Sequence, residues 1–273
     1  MTGPVQNGFA ANSLAETAAH ILATADPAEK VRLSALAAEA WARGGLPIGS
    51  VSDLPDRPAR PAQPPLHPPA KVPRRRINTA VRGRVALLHA LAHIELNAID
   101  LAWDIIARFA APELPRRYFT DWVSVAAEEA RHFSLLTQRL AELDAAYGDL
   151  PAHDGLWETA IATRHDLAAR LAVVPLVLEA RGLDVTPAMT AKLRAANDDT
   201  TADILEIIYQ DEIGHVRIGQ RWFTFTCAAR GLEPERAWRG YVATYFKGGL
   251  KPPFNTAARD ATGMPESWYA AEA

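Results

Sequence analysis

Hydrophobic positions recur every three to four residues over most of the chain, which is the spacing of amphipathic α-helices. Four long stretches show this pattern, two short ones precede them, and strand-like alternation is almost absent. The sequence therefore predicts an all-α fold built on a four-helix bundle. The predicted helices are Leu14–Ala23, Ala28–Ala42, Asn78–Ala111, Arg116–Tyr147, Leu156–Gly182 and Asp199–Gly231.

Prolines and glycines mark the breaks between these helices. Asp26 and Pro27 separate the two short helices, because proline suits the first helical position after an aspartate cap. Pro175 lies inside the third long helix, where it predicts a kink. The first three long helices are each followed by residues that end or cannot continue a helix, namely Pro112 with Pro115, Gly148 with Pro151, and Gly182 with Pro187.

Nine prolines lie between Leu46 and Arg76. Because proline lacks an amide hydrogen and restricts its neighbours, this stretch predicts an extended strap, either a free linker or a belt on the bundle. Four segments are thus predicted along the chain. They are an N-terminal helical hairpin arm at 1–45, a proline-rich strap at 46–76, the four-helix bundle at 77–234, and a C-terminal tail that packs on the bundle at 235–273.

The amino-acid composition excludes some kinds of metal site and gives no support for a nucleic-acid partner, but it does not assign a function. Apolar residues make up 49% of the chain, which is enough for a full core, and the formal net charge is -3. Lys and Arg are dispersed apart from Arg74–Arg76, so there is no global electrostatic case for nucleic acid. The one cysteine, Cys227, excludes an internal disulfide and any multi-cysteine metal site. A metal would have to be held by carboxylates and imidazoles.

No targeting or membrane-spanning segment is expected. Residues 1–11 lack a basic start followed by an apolar stretch, and no run of about 18 apolar residues occurs. The single cysteine also fits a reducing compartment. We therefore expect a cytoplasmic protein without a membrane partner.

Two of the predicted long helices contain Glu-x-x-His. Glu129 and His132 lie on the second of these helices, and Glu212 and His215 lie on the fourth. Since each residue turns a helix by about 100°, a spacing of three places both side chains on one face, one turn apart. Such a pair can bind one metal ion or two neighbouring ions, although one copy also arises by chance.

A repeat strengthens the metal interpretation. Glu95 lies 34 residues before Glu129, and Glu179 lies 33 residues before Glu212, each on the preceding helix. All four glutamates share a helical face with apolar residues. Four buried, ionised carboxylates would each cost several kcal/mol without cations, so two divalent ions are predicted. The alternative is that some glutamates reach solvent and the histidines are hydrogen-bonded core residues.

These residues resemble the ligands of the di-metal carboxylate branch of the ferritin-like superfamily. In that branch, two helices each supply one Glu and two supply Glu-x-x-His, which together enclose a di-iron or mixed manganese–iron centre. The resemblance implies a ferritin-like four-helix bundle and two metal ions, iron or manganese with iron. The matching residues are Glu95, Glu129, His132, Glu179, Glu212 and His215.

The strings around both histidines resemble the acid-Glu-x-Arg-His motif of ribonucleotide reductase small subunits and bacterial di-iron monooxygenases. By that resemblance, Asp211 would orient His132 and Glu128 would orient His215. Arg131 matches the arginine of the motif, whereas Gly214 stands where a second arginine could be. The alternative is that Glu128 and Asp211 are ordinary exposed acids beside the ligands.

The chain as a whole resembles an uncharacterised bacterial ferritin-like family, domain of unknown function 455. The resemblance covers the proline strap, the segment His89–Glu95 and the sequence Gly-Leu-Lys-Pro-Pro-Phe-Asn at 249–255. It carries over no established activity. His89 and His93 face away from Glu95 on the helical wheel and are predicted to be interhelix or surface histidines.

Histidine and carboxylate ligands in an apolar pocket suit ferrous iron. The expected function is a di-iron oxidoreductase that uses O2 or peroxide, either a hydroxylase or an oxidase of a small organic substrate. An electron-donor protein is the expected source of its electrons. Two alternatives stay open: a ferroxidase or iron-handling protein, and a non-catalytic interaction protein with a structural metal site. Tyr209, near Glu212, is a candidate redox-active phenol or simply a packed tyrosine. The oligomeric state is open, with a homodimer as one option.

Overall fold

A computed structural model describes residues 12–68, 71–72 and 81–270. Within those ranges the regular secondary structure is helical, apart from an isolated bridge between Leu66 and Ala152, so the all-α prediction is confirmed. The helices are α1 Leu14–Leu22, α2 Pro27–Ala42, α3 Val81–Arg108, α4 Arg116–Glu142, α5 Gly155–Ala162, α6 Leu167–Val173, a π-helical segment Val174–Glu179, α7 Ala180–Ala195, α8 Asp199–Ala229, α9 Pro234–Tyr245, α10 Thr256–Ala261 and α11 Glu266–Ala270. The predicted helix start at Asn78, the Arg74–Arg76 run and the segment 1–11 lie outside the described residues.

Contacts divide the chain into two units. The first comprises Met1–Val72 and Leu88–His153, and the second comprises Pro73–Leu87 and Asp154–Ala273. The first unit therefore contains α1, α2, α4 and α3 from Leu88 onward. The second contains α5 to α11 and the π-helical segment.

In the first unit the arm and the strap are held by specific hydrogen bonds. Ser13 and Asp26 cap α1 and α2 with their side chains, as Ser and Asp do at helix starts. The strap is a belt on this unit: the Ala59 N–H donates to the Leu22 carbonyl at 2.8 Å, and Arg108 donates to the Pro55 carbonyl at 3.0 Å. These two bonds tie backbone groups of the described part of the strap to α1 and α3.

A buried ion cluster joins the arm, the strap and α3 within the first unit. Asp100 of α3 and Lys30 of α2 are both completely buried and paired with each other. Arg60 of the strap reaches the second Asp100 oxygen at 2.9 Å and donates to the Asn97 side chain at 2.9 Å. Burial costs charged groups their hydration, so each must find a partner, and here one carboxylate meets two cations.

The third predicted long helix, Leu156–Gly182, is wrong in its extent. The stretch is broken after Ala162, restarts at Leu167 behind the cap Asp166, and continues through the π-helical segment and α7 to Ala195. The predicted kink at Pro175 is a π-helical segment, which accommodates the missing proline N–H by a wider turn. Gly182 and Pro187 do not end the helix.

The C-terminal helices pack inside the second unit. The indole of Trp238 is fully buried and its Nε1 donates to the Ala172 carbonyl at 3.0 Å, just before the π-helical segment. Trp238 also packs against Trp268 of α11, with ring centroids 5.8 Å apart. Aromatic residues of the tail therefore form part of the core of this unit.

One helix of the described ranges, α3, is long and apolar enough to cross a membrane by length and composition. In the folded protein, 78% of its most apolar window is buried. Such burial is typical of the core helix of a soluble protein, whereas a membrane span presents its apolar surface to lipid. The cytoplasmic location stays a prediction.

Candidate metal centre

The first unit brings three of the predicted ligands together. Glu95 projects from α3, and Glu129 and His132 project from one face of α4. His132 Nδ1 lies 3.4 Å from Glu129 Oε2 and 3.5 Å from Glu95 Oε2. Each residue offers one ligand atom, and these atoms lie within 4.8 Å of one another. The three side chains could therefore hold a metal ion.

The three side chains of this cluster are buried more deeply than charged groups usually are. Glu129 and His132 are 0% exposed and Glu95 is 4% exposed. Burial and the neighbouring Glu129 charge raise the pKa of Glu95 well above its ordinary value. Burial alone would lower the pKa of His132, but hydrogen bonds and charges from Glu129 and Glu95 outweigh it and raise this pKa to about 11.

The donor set fits a metal ion. A buried pair of carboxylates needs positive charge nearby, and without a metal that charge comes from a proton on His132. A divalent cation would replace the proton and use the neutral imidazole and the carboxylates as ligands.

The second unit contains the other three predicted ligands. Glu212 and His215 lie one turn apart on α8, with His215 Nδ1 3.8 Å from Glu212 Oε1. His215 is completely buried, and the Glu212 side chain is 13% exposed. Glu179 is the last residue of the π-helical segment, is half-buried, and belongs to an element that packs against α8.

A glycine allows α8 to approach the π-helical segment closely. A Cβ atom at Gly219 would lie 2.4 Å from the Pro175 Cβ, closer than atoms can pack. Gly219 lies two turns after Glu212, and Pro175 lies four residues before Glu179. The contact therefore sets the spacing of the two elements that carry these glutamates. π-helical segments occur frequently at functional sites.

The similarity to a known protein family extends over most of the chain and is not confined to the predicted ligands. A family model described as protein of unknown function (DUF455) matches residues 23–270. The chain belongs to the DUF455 family. A similar protein of Haemophilus influenzae, described as uncharacterised, is 44% identical over 203 residues, which are 72% of this chain and 70% of the relative. No solved structure matches the chain significantly. The resemblance to this family is confirmed, and ferritin-like membership stays a prediction.

The predicted supporting residues of this DUF455 protein occupy different environments. Glu128 is half-buried and accepts from Ser124 Oγ at 3.2 Å. Asp211 is half-buried and Arg131 is exposed. Tyr209 is half-buried, and its hydroxyl accepts a hydrogen bond from Asn255 Nδ2 at 2.9 Å. The roles assigned to these four residues stay predictions.

His89 and His93 are buried rather than on the surface, and both bind the segment after α4. His89 Nε2 accepts from the Gly148 N–H at 3.0 Å. His93 Nε2 faces the His153 carbonyl at 3.1 Å, so this nitrogen donates, and Nδ1 accepts from the Tyr147 hydroxyl at 2.9 Å. Burial and the Arg60 charge lower the pKa of His93 to about 4, so its ring is neutral.

Three further residues near the second ligand set did not emerge from the sequence. Arg259 and Asp184 form a buried bidentate ion pair at 2.9 and 2.7 Å, and Asn255 donates from its side chain to both Leu183 and Tyr209. The hint in the sequence was Pro187, whose nitrogen cannot donate a hydrogen bond. In the structure α7 continues through this proline. A partner for the carbonyl four residues earlier was therefore needed.

Proposed function

We propose that this DUF455 protein is a metal-dependent oxidoreductase with a di-metal centre of the carboxylate type. The observation that carries the proposal is the completely buried pair Glu129 and His132 beside the nearly buried Glu95. Burying three such groups together costs free energy, and a divalent cation would offset this cost by neutralising both carboxylates. That six ligands serve one centre is inferred from the repeated pattern in the sequence. They are Glu95, Glu129, His132, Glu179, Glu212 and His215.

Iron is the proposed metal, alone or with manganese, because carboxylates and imidazoles without thiolates suit it. Ferrous ions bound there would supply the electrons for reaction with O2 or peroxide. The chain would hold the ligands in fixed positions and exclude water with the apolar neighbours of Glu129, including Trp122 and Phe133, which are 2% and 5% exposed. A small organic substrate and an electron-donor protein complete the proposal.

The test is metal content and reaction with O2. Wild type, Glu129→Ala and Glu212→Ala are purified from cells supplied with iron and manganese, beside Glu142→Ala, which changes an exposed glutamate of α4. We expect about two metals per chain in wild type and Glu142→Ala, and loss of metal from the other two. Anaerobic iron loading followed by O2 should give a transient optical absorbance only in proteins that retain metal.

Other results would change the conclusion. A wild-type protein that is folded but metal-free would overturn the proposal. Iron uptake far beyond two ions per chain, with mineral formation, would favour an iron-handling protein. Stable metal that never reacts with O2 or peroxide would favour a structural site in an interaction protein.

A further inference from the structure

The segment Gly-Leu-Lys-Pro-Pro-Phe-Asn ends in Asn255, whose carbonyl accepts from the Arg259 N–H at 3.0 Å and which makes four further hydrogen bonds inside the second unit. The Asn255 backbone N–H donates to Asp184 Oδ1 at 3.0 Å. Its side-chain amide donates to the Leu183 carbonyl at 3.1 Å and to the Tyr209 hydroxyl at 2.9 Å. Its side-chain oxygen accepts from the Ala258 N–H at 3.2 Å and caps α10. Both ends of the amide are therefore used.

The bond to Leu183 fills a gap that Pro187 creates in α7. In an α-helix the Leu183 carbonyl would accept from the N–H four residues later, and proline has none. A buried carbonyl without a donor is costly, so a partner from outside the helix stabilises this turn. Asn255 is that partner, which explains how α7 continues past Pro187.

The two residues that Asn255 joins lie beside predicted metal ligands. Leu183 is one turn after Glu179, and Tyr209 is one turn before Glu212. The Asn255 side chain therefore bridges α7 and α8 next to both glutamates. Moving either helix relative to the other would break one of its two donated bonds.

Asn255 is itself held rigidly by its surroundings. Arg259 is 2% exposed and binds both oxygens of Asp184, the residue that also accepts from the Asn255 N–H. Arg181 of α7 donates to the Lys251 carbonyl at 2.6 Å and to the Pro253 carbonyl at 3.3 Å. Bidentate arginine–carboxylate pairs fix geometry as well as contributing energy, so the tail cannot drift from α7.

We propose that Asn255 is a positioning residue that fixes the relative placement of Glu179 and Glu212 and thereby sets the affinity and geometry of the metal site. The inference rests on the proposed function. It gives the C-terminal tail a role in metal binding that acts through the placement of α7 and α8, since none of the described Asn255 bonds goes to a predicted ligand.

The test compares metal affinity and metal geometry with folding. Asn255→Ser retains a side-chain cap for α10 but is too short to reach Leu183 or Tyr209. Tyr209→Phe removes only one bond of the bridge. Arg239→Gln serves as the control, because the described bonds that it removes lie within the tail, to the Ser267 carbonyl and to Glu235, and none of them reaches α7 or α8. The probe is Co²⁺, whose visible spectrum reports coordination geometry, with thermal unfolding of each metal-free protein measured in parallel.

We expect Asn255→Ser to weaken Co²⁺ binding about tenfold and to shift its visible bands. Tyr209→Phe should change both in the same direction by less, and Arg239→Gln should match wild type. A folded Asn255→Ser protein with wild-type affinity and spectrum would overturn the positioning role, even if its melting temperature is lower. If Asn255→Ser does not fold, an unchanged Tyr209→Phe has the same meaning. Wild type that binds no Co²⁺ overturns the proposed function, and this inference with it.

Discussion

At the scale of single residues, protons and metal ions compete for His132. The imidazole lies within 3.5 Å of two buried carboxylates, and as an imidazolium it offsets their charge. A metal ion needs the same ring in its neutral form, so metal binding should release protons. In the metal-free protein the site therefore carries a proton on the His132 imidazole.

The metal-free protein should lose stability as pH rises above neutrality. The pKa of His132 is raised from 6.5 to about 11 on folding, so its stabilising contribution is complete below pH 6.5 and is lost as pH rises toward 11. The slope can reach one proton, about 1.4 kcal/mol per pH unit. Urea unfolding in the presence of a chelator at pH 6.5 and 8.5 should show a smaller loss for His132→Gln than for wild type.

The exposed His165 provides the matched control for this measurement. His165→Gln should keep the wild-type pH dependence, since its ring is exposed and its described contacts are all with the hydroxyl and ring of Tyr245. Equal slopes for wild type and His132→Gln would contradict the assignment of the proton to His132.

Spacing in the sequence predicted Glu95, Glu129 and His132 because a helix converts a spacing of three into a shared face, and the apolar neighbours of each glutamate gave the buried side. Asn255 could not be found in that way. Its partners Leu183 and Tyr209 lie 72 and 46 residues away in sequence, and contacts at such separations follow from the fold rather than from local periodicity.

At the scale of elements, two prolines of similar appearance in the sequence have different effects. Pro175 lies in a π-helical segment, whereas α7 passes through Pro187 without a break. Both regions receive a hydrogen-bond donor from the tail, Trp238 at the Ala172 carbonyl and Asn255 at the Leu183 carbonyl. Local sequence therefore predicted the disturbance at Pro175 but not the continuation at Pro187.

Two glycines of α8 provide a matched test of the close contact with Pro175. In Gly219→Ala the new methyl group would meet the proline ring, so the helices must separate, at a cost of about 1–3 kcal/mol. In Gly214→Ala the methyl group has nothing within 4 Å, and the higher helix propensity of alanine should stabilise the protein by up to about 1 kcal/mol. Urea unfolding measures both changes, and equal effects would contradict the contact.

Gly219→Ala should also weaken metal binding, since the contact holds the element that carries Glu179 against α8. The comparison with Gly214→Ala separates this effect from helix propensity, because both substitutions are on the same helix. Retention of wild-type metal affinity in a destabilised Gly219→Ala protein would show that the spacing of these elements does not determine ligand placement.

At the scale of the whole molecule, the two units are built by different means. The first unit combines segments that are far apart in sequence, with the arm, strap and α3 joined at Asp100. The second is nearly continuous in sequence from Asp154. The strap could be predicted from its prolines, but its partners could not, because they depend on one buried carboxylate receiving two distant cations.

Asp100 should therefore be among the residues on which stability depends most. Asp100→Ala would leave Lys30 completely buried without its carboxylate, and breaking a buried pair in this way costs about 3–5 kcal/mol. Burial already lowers the pKa of Lys30, so the lysine would become neutral more readily once Asp100 is gone. Lys30→Met should cost less, because Asp100 keeps Arg60 at 2.9 Å.

Glu29→Ala, which removes an exposed pair with Arg32 on the same helix, is the control and should unfold like wild type. Urea unfolding in chelator ranks the three variants, and an Asp100→Ala protein as stable as Glu29→Ala would show that the cluster does not hold the arm and strap in place.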